Sequence, residues 1–291
     1  MLDRILSPLT RRFRWAATAL EVHKRFSEIH GSMLAKGVTL TAFLSLFPLL
    51  LVVIAITGFF SSHDRHLADN LISAFGVTGT ARQTFTSALA AAERSKRTAS
   101  AVGLAGLLWS GLAVVGAMQF ALNSVWRVEG RGLKDRLWGL AWLGGAGVIL
   151  VASFGVTAVV GYLPAIAAVL AAPLSVVFGL AIDVGLWLWT FTVLTNRDVG
   201  WRAMLPGAVL GAVGLEVLKG LGAIWVPRTV SSSSALYGSI GVVFAVLAWL
   251  LLFGQLLMYS AVLNVVLHER RQTNRTTAPA GPEVTTMRPA V

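Results

Sequence analysis

The chain has 291 residues, of which 56% are hydrophobic and only 13% are charged, and its mean hydropathy is +0.74. A soluble domain carries about 25% charged residues, so this chain lacks the polar surface of a water-facing globule, which excludes a soluble enzyme. The chain has no cysteine, which excludes disulfides and thiolate chemistry, and its net charge of +11 indicates either a nucleic-acid partner or a membrane topology, depending on where the basic residues lie.

The N-terminal segment, residues 1–36, carries an amphipathic pattern. Apolar side chains recur at helical spacing between Arg11 and Leu34, and they are Trp15, Ala19, Val22, Phe26, Ile29 and Met33. Most charged residues of this stretch fall off that stripe. We predict a helix that lies on the inner leaflet, with its basic residues near anionic head groups, or that packs on the cytoplasmic end of the protein's own helices.

Six long apolar runs follow, each able to cross a hydrocarbon core of about 30 Å. They cover residues 38–60, 100–126, 138–162, 173–195, 203–226 and 239–268. Because backbone polar groups in lipid must be satisfied internally, these spans are predicted to be helices. The sequence therefore predicts an all-α polytopic membrane protein, with a bundle of six transmembrane helices over residues 37–268.

The segments between the spans differ in character. Weak helical patterns in residues 61–99 predict a short helical hairpin over the outer mouth of the bundle. Residues 163–172 are apolar but too short to cross, which predicts an interfacial or re-entrant piece. The serine-rich segment 227–238 is interpreted as a polar outer loop, and residues 269–291 as a disordered cytoplasmic tail.

The basic residues predict the orientation. Seventeen of the 24 Lys and Arg residues lie in the N-terminal segment, the 127–137 and 196–202 loops and the C-terminal tail. Six lie in the segments on the opposite side, and Lys219 lies within a span. By the positive-inside rule both termini are cytoplasmic. The net charge is thus interpreted as an orientation signal, and no nucleic-acid partner is expected.

Three ionisable residues interrupt the fourth and fifth spans: Asp183, Glu216 and Lys219. Charge inside a membrane is costly, so each is a candidate functional residue. At helical rise, Asp183 lies about 18 Å and Glu216 about 20 Å from the inner ends of their spans, so we expect the groups to meet near mid-membrane and to face inward. Two interpretations stay open: a hydrated cavity that accepts a lipid head group or relays protons, and an ion-pair cluster that orients helices.

Uncharged polar residues within the spans form a second candidate set, which comprises Ser45, Gln119, Asn123, Gln255 and Asn264. Hydrogen bonding between helices accounts for most residues of this kind, and a polar lining of the same cavity is the alternative. Pro48 is predicted to bend the first span. Gly207 and Gly211 have the spacing of a small-xxx-small helix contact on the fifth span.

No catalytic, cofactor or metal site is predicted. His63 and His66 form a pair without a clear third ligand, which a metal site needs. The serine-rich segment lacks a nearby base that could activate a nucleophile. The sequence contains no phosphate-binding loop of the Walker type, so we expect no use of ATP by this chain.

Four motifs occur in order along the spans. They are FLSLFPLL at Phe43–Leu50, ALNSVW at Ala121–Trp126, Pro206-Gly207-Ala208 with Glu216 and Lys219, and YGSIG at Tyr237–Gly241 with the apolar run to Asn264. Their order and spacing resemble the YihY/BrkB family over residues 10–270, in its YhjD-like branch. Val262 departs from this resemblance, because members often carry an acidic residue there.

This resemblance implies a multi-pass protein of the bacterial inner membrane that serves envelope integrity, and export of lipid A precursors has been connected with the branch. We therefore expect a protein that transports or organises envelope lipids or other amphiphiles. Expected partners are membrane lipids, including anionic inner-leaflet lipids, and envelope proteins. A non-transporting scaffold of an envelope complex is the alternative. The family's former label, ribonuclease BN, finds no support in these residues, because no His and carboxylate constellation lies in a soluble portion.

Overall fold

The structure is a computed structural model that describes residues 14–61, 96–161, 165–237 and 239–276, with side chains described over 16–49, most of 105–149, 177–222 and 243–274. All regular structure in these residues is α-helical, which confirms the predicted fold class. The predicted outer hairpin, apart from its first and last residues, lies outside the described residues, as do residues 277–291 of the predicted tail.

Seven helices run through the described part of the chain. They are α1 (Arg14–Glu28), α2 (Gly31–Ser61), α3 (Lys96–Trp126), α4 (Leu133–Gly161), α5 (Ala165–Leu194), α6 (Trp201–Tyr237) and α7 (Ser239–Thr276).

Five of these helices, α2, α3, α5, α6 and α7, contain described segments long and apolar enough to cross a membrane. The polytopic helical architecture is therefore confirmed. Helix α4 occupies the third predicted span, but many of its side chains lie outside the described residues. The exact number of six spans stays a prediction.

All six bundle helices are longer than their predicted apolar runs, and three of them continue through segments that were predicted to be something else. Helix α5 already begins at Ala165, where a re-entrant piece was expected, and α6 continues to Tyr237 through the predicted outer loop. Helix α7 continues to Thr276 through the first part of the predicted tail. The physical reason is that the hydrogen bonds of a helix join its own backbone groups, so a helix does not stop where the hydropathy falls.

The N-terminal helix α1 packs on the C-terminal part of α7. Val22 and Phe26 on its apolar stripe are buried, and the Phe26 ring stacks on Tyr259 with 4.2 Å between ring centroids. Ion pairs flank this contact, namely Arg25 with Glu269 and Arg270 with Glu21. Of the two predicted placements of α1, the structure has the one in which it packs on the bundle.

The best-buried core lies at one end of the bundle, which we call the basic end: α1, the 127–132 and 195–200 loops, and residues 265–276 of α7. Its largest fully buried side chains belong to α3, α5, α6 and α7, and they include Leu122, Phe191, Leu194, Met204, Leu257 and Met258. Helix α3 ends there at Trp126, and the φ of 52° at the following Arg127 lets the Val128 N–H donate to the Asn123 carbonyl at 3.0 Å.

Candidate functional site

The three ionisable residues of the spans form one cluster, which we call the ionic cluster: Asp183, Glu216 and Lys219. The Lys219 Nζ lies 2.8 Å from Asp183 Oδ2 on α5 and 2.9 Å from Glu216 Oε1 one turn earlier on α6. The cluster therefore joins two consecutive helices through a single ammonium group. Since the Lys219 ammonium can donate three hydrogen bonds and these contacts use two, it has one further donor for a ligand.

Exposure differs strongly within the ionic cluster. The Asp183 side chain is 14% exposed, whereas Glu216 is 46% and Lys219 is 52% exposed. The expectation that all three groups face inward is therefore wrong for Glu216 and Lys219. They lie beside the α5–α6 contact, on a face of α6 where Val217 and Leu221 are also more than half exposed. The ionic cluster therefore exposes two charged side chains on a face of α6 that is otherwise apolar.

Asn264 of the second candidate set lies in a fully buried contact between α6 and α7. Its Oδ1 accepts a hydrogen bond from the Gly207 N–H at 2.6 Å. Asn264 itself is 0% exposed, and its Nδ2 has no hydrogen-bond partner among the described residues. This side-chain bond fixes how the two helices sit against each other, because it joins a buried side chain of α7 to a backbone group of α6.

Gly207 and Gly211 lie where α6 approaches its neighbours closely. A Cβ atom on Gly207 would meet the backbone oxygen of Ser260 on α7. A Cβ atom on Gly211 would lie 2.5 Å from the ring of Trp187 on α5. These two glycines therefore allow α6 to pack against α7 on one side and α5 on the other.

Gln119 binds the start of α4, and Asn123 binds the 195–200 loop. The Gln119 amide donates to the Asp135 carbonyl at 2.9 Å, and Asn123 Oδ1 accepts from the Asn196 N–H at 2.8 Å. The Asn196 side chain in turn donates to the Glu129 carbonyl at 3.1 Å. These bonds tie the ends of α3 and α5 to the start of α4.

The remaining candidates are not brought to the ionic cluster. Ser45 donates at 2.6 Å to the Ala42 carbonyl of its own helix, and Gln255 is half-buried on α7. Pro48 lies inside α2, which continues on both sides of it. Val262, where the family resemblance favours an acidic residue, is fully buried among apolar side chains.

Sequence reasoning missed two structural features, one next to the basic end and one between α2 and α7. Asp135 and Asn196 lie outside the predicted spans, so no membrane argument singled them out. The Thr39 hydroxyl contacts two carbonyls, that of Ala35 at 2.8 Å and that of Leu250 on α7 at 3.2 Å. The signal for this second feature is Gly254 on α7, where an added Cβ would lie 2.8 Å from the Ala35 oxygen.

Among the residues that the structure describes, no group of three or more His, Asp or Glu side chains is placed to hold a metal ion. The histidine pair at positions 63 and 66 lies outside those residues.

A family model described as Virulence factor BrkB matches residues 22–284. The chain is 29% identical to a UPF0761 membrane protein of Methylibium petroleiphilum over 290 residues, which cover 93% of this chain and 68% of the relative. It is 26% identical to the inner membrane protein YhjD of Escherichia coli, over 84% of this chain and 79% of that protein.

A shorter match, 30% identical over 28% of this chain and 30% of the relative, is to the putative ribonuclease-like protein YfkH of Bacillus subtilis. The chain spans about two thirds of the length of the UPF0761 relatives, for example 65% of the one from Albidiferax ferrireducens. No solved structure matches the chain.

Proposed function

Because the chain belongs to the Virulence factor BrkB family, we propose that this membrane protein acts in a bacterial cytoplasmic membrane, where it moves or organises amphiphilic lipids of the envelope. The relative named inner membrane protein YhjD supports the location. The ionic cluster is the observation that carries the lipid function.

The chemistry of the ionic cluster suits a lipid head group. A head group that crosses the hydrocarbon core needs charged partners on its way, because an isolated charge there is costly. Lys219 offers an ammonium donor for a phosphate, and Asp183 and Glu216 offer acceptors for amino or hydroxyl groups. The exposure of Lys219 and Glu216 opens this site to a head group whose acyl chains stay in the surrounding lipid.

We further propose that both termini are cytoplasmic. The 127–132 and 195–200 loops, α1 and the end of α7 lie at the same end of the described bundle, and 9 of the 17 Lys and Arg residues in the described part of the chain belong to this end. The positive-inside rule then directs the basic end to the cytoplasm. The ionic cluster lies further from the cytoplasm than the basic end does. Asp183, for example, lies eleven residues before the end of α5 at Leu194.

The test is lipid translocation by the purified full-length chain in liposomes. Fluorescent lipids with phosphate-bearing head groups are placed in one leaflet, and their arrival in the other is followed by quenching, with and without a proton gradient. We expect flux above that of protein-free vesicles, and a loss of at least about tenfold, equivalent to about 1.4 kcal/mol, in Glu216→Gln.

Glu129→Gln is the matched control, since it makes the same chemical change on the exposed 127–132 loop, outside the ionic cluster. It should leave the flux unchanged. Wild-type flux equal to that of empty vesicles under both conditions would contradict the proposal.

A non-transporting scaffold is the second candidate, and one observation favours it: the three charged groups of the ionic cluster already form two ion pairs with one another. In a scaffold they only fix α5 against α6, and Glu216→Gln then changes the stability of the protein and no other readout. Comparison of flux with folding in this one variant distinguishes the two candidates.

We also propose that the chain is not a ribonuclease. The ribonuclease-like name belongs to a relative that matches only 28% of this chain. Cleavage of a precursor tRNA by the purified protein, persisting after contaminating nucleases are removed, would overturn this.

A further inference from the structure

A shallow groove runs between α3 and α4 on the surface of the bundle, remote from the ionic cluster. It has a volume of about 380 Å³, which falls within the ~300–1,000 Å³ of small-ligand sites. Its walls are largely apolar, from Trp109, Leu112 and Gly116 on α3 to Gly139 on α4. Its polar lining residues, Gln119, Asp135 and Arg136, lie towards the basic end.

We propose that this groove holds one acyl chain of an anionic glycerophospholipid, with the phosphate of that lipid at Arg136. The inference adds a lipid class to the proposed function. It rests on the proposed membrane location and does not require that the protein transports lipids.

The length of the groove matches one leaflet. Trp109 and Gln119 are ten residues apart on α3, which is about 15 Å along a helix. Half of a hydrocarbon core of about 30 Å is the same length. An acyl chain that begins at Arg136 therefore reaches Trp109, whose side chain is 82% exposed at the far end.

The charge of the groove favours an anionic head group. Arg136 is exposed in the first turns of α4, and Lys134 and Arg131 lie close to it in the chain. Asp135 also lines this end, but its Oδ2 accepts hydrogen bonds from the Arg131 N–H at 2.6 Å and the Asn196 side chain at 3.3 Å. Its Oδ1 is buried and has no partner among the described residues, so the attraction for a phosphate at this end comes from the basic side chains.

Gly116 is the residue that keeps the groove open. A Cβ atom there would meet nothing within 4 Å, so a larger side chain fits without displacing protein atoms and fills the groove instead. Gly144 on α4 also meets nothing within 4 Å, but it does not line the groove. The pair Gly116→Leu and Gly144→Leu therefore separates occupation of the groove from the general effect of replacing a glycine in a helix.

The experiment titrates the purified full-length chain in detergent with dioleoyl phosphatidylglycerol, and counts bound lipids by native mass spectrometry. We expect tighter binding than for dioleoyl phosphatidylethanolamine. Arg136→Gln should weaken binding about fivefold, because one basic residue contributes about that factor near anionic lipid, whereas Lys36→Gln on α2 should not. Gly116→Leu should remove the bound lipid, and Gly144→Leu should retain it.

Two results would overturn the inference. One is unchanged binding in both Arg136→Gln and Gly116→Leu. The other is a wild-type dimer that Gly116→Leu dissociates, which would make the groove an interface between copies of the chain. If Gly116→Leu aggregates, Ala113→Leu blocks the same groove. Because the assay measures binding alone, a wild-type chain without lipid flux would defeat the proposed function and leave this inference standing.

Discussion

The basic end and the ionic cluster use polar groups in opposite ways. At and next to the basic end, the uncharged side chains of Asn264 and Asn123 are buried and bind backbone groups of a neighbouring helix and a neighbouring loop. In the ionic cluster, charged side chains bind one another, and Glu216 and Lys219 stay half exposed. Burial with a backbone partner stabilises the arrangement of helices, whereas exposed charge contributes little stability and remains available to a ligand.

The largest expected effect tests the close packing beside the basic end. Gly207→Leu would place side-chain atoms against the Ser260 backbone oxygen, which cannot move away as a flexible side chain can. We expect a loss of about 3 kcal/mol or more, seen as lost monodisperse protein in size-exclusion chromatography. Gly185→Ala, where an added Cβ meets nothing within 4 Å, is the control and should behave as wild type.

The second test removes the buried amide of the same contact. Asn264→Leu leaves the Gly207 N–H without its side-chain acceptor, so we expect a loss of about 1–3 kcal/mol. The measurement is the free energy of unfolding in mixed micelles titrated with SDS. Asn274→Leu changes an exposed residue on the same helix, and equal losses in the two variants would refute a special role of Asn264.

The third test concerns the stability of the ionic cluster. Glu216→Gln should lower the free energy of unfolding by no more than about 1 kcal/mol, because the side chain is half exposed and solvent screens the ion pair. The same SDS titration measures it. A loss as large as that of Asn264→Leu would show that the cluster holds the fold, and would favour the scaffold over the transporter.

The smallest expected effect separates bonds between helices from bonds within one helix. Thr39→Val removes a hydroxyl that contacts the Leu250 carbonyl on α7, and should cost about 0.6 kcal/mol. Thr41→Val removes a hydroxyl that binds the Gly37 carbonyl of its own helix at 2.8 Å, and should cost less. Indistinguishable unfolding curves for the two variants would argue against a role of Thr39 between α2 and α7.

The sequence predicted the helical spans well, because an apolar run longer than the bilayer core allows few other structures. It also paired Asp183 with Glu216 and Lys219, since depth along each helix follows from residue counting. It placed the helix ends less well, because hydropathy does not mark where backbone hydrogen bonding stops. Helix α6, which continues through the predicted outer loop to Tyr237, is the clearest case.

Composition and periodicity alone determined that this is a polytopic helical membrane protein with an amphipathic N-terminal helix. The tertiary structure decided that α1 packs on α7, that Asn264 binds the Gly207 backbone, and that Glu216 and Lys219 stay half exposed. The physical reason is that hydropathy sets which segments enter the membrane, while the rotation of each helix about its axis depends on side chains of other helices, which no single segment contains.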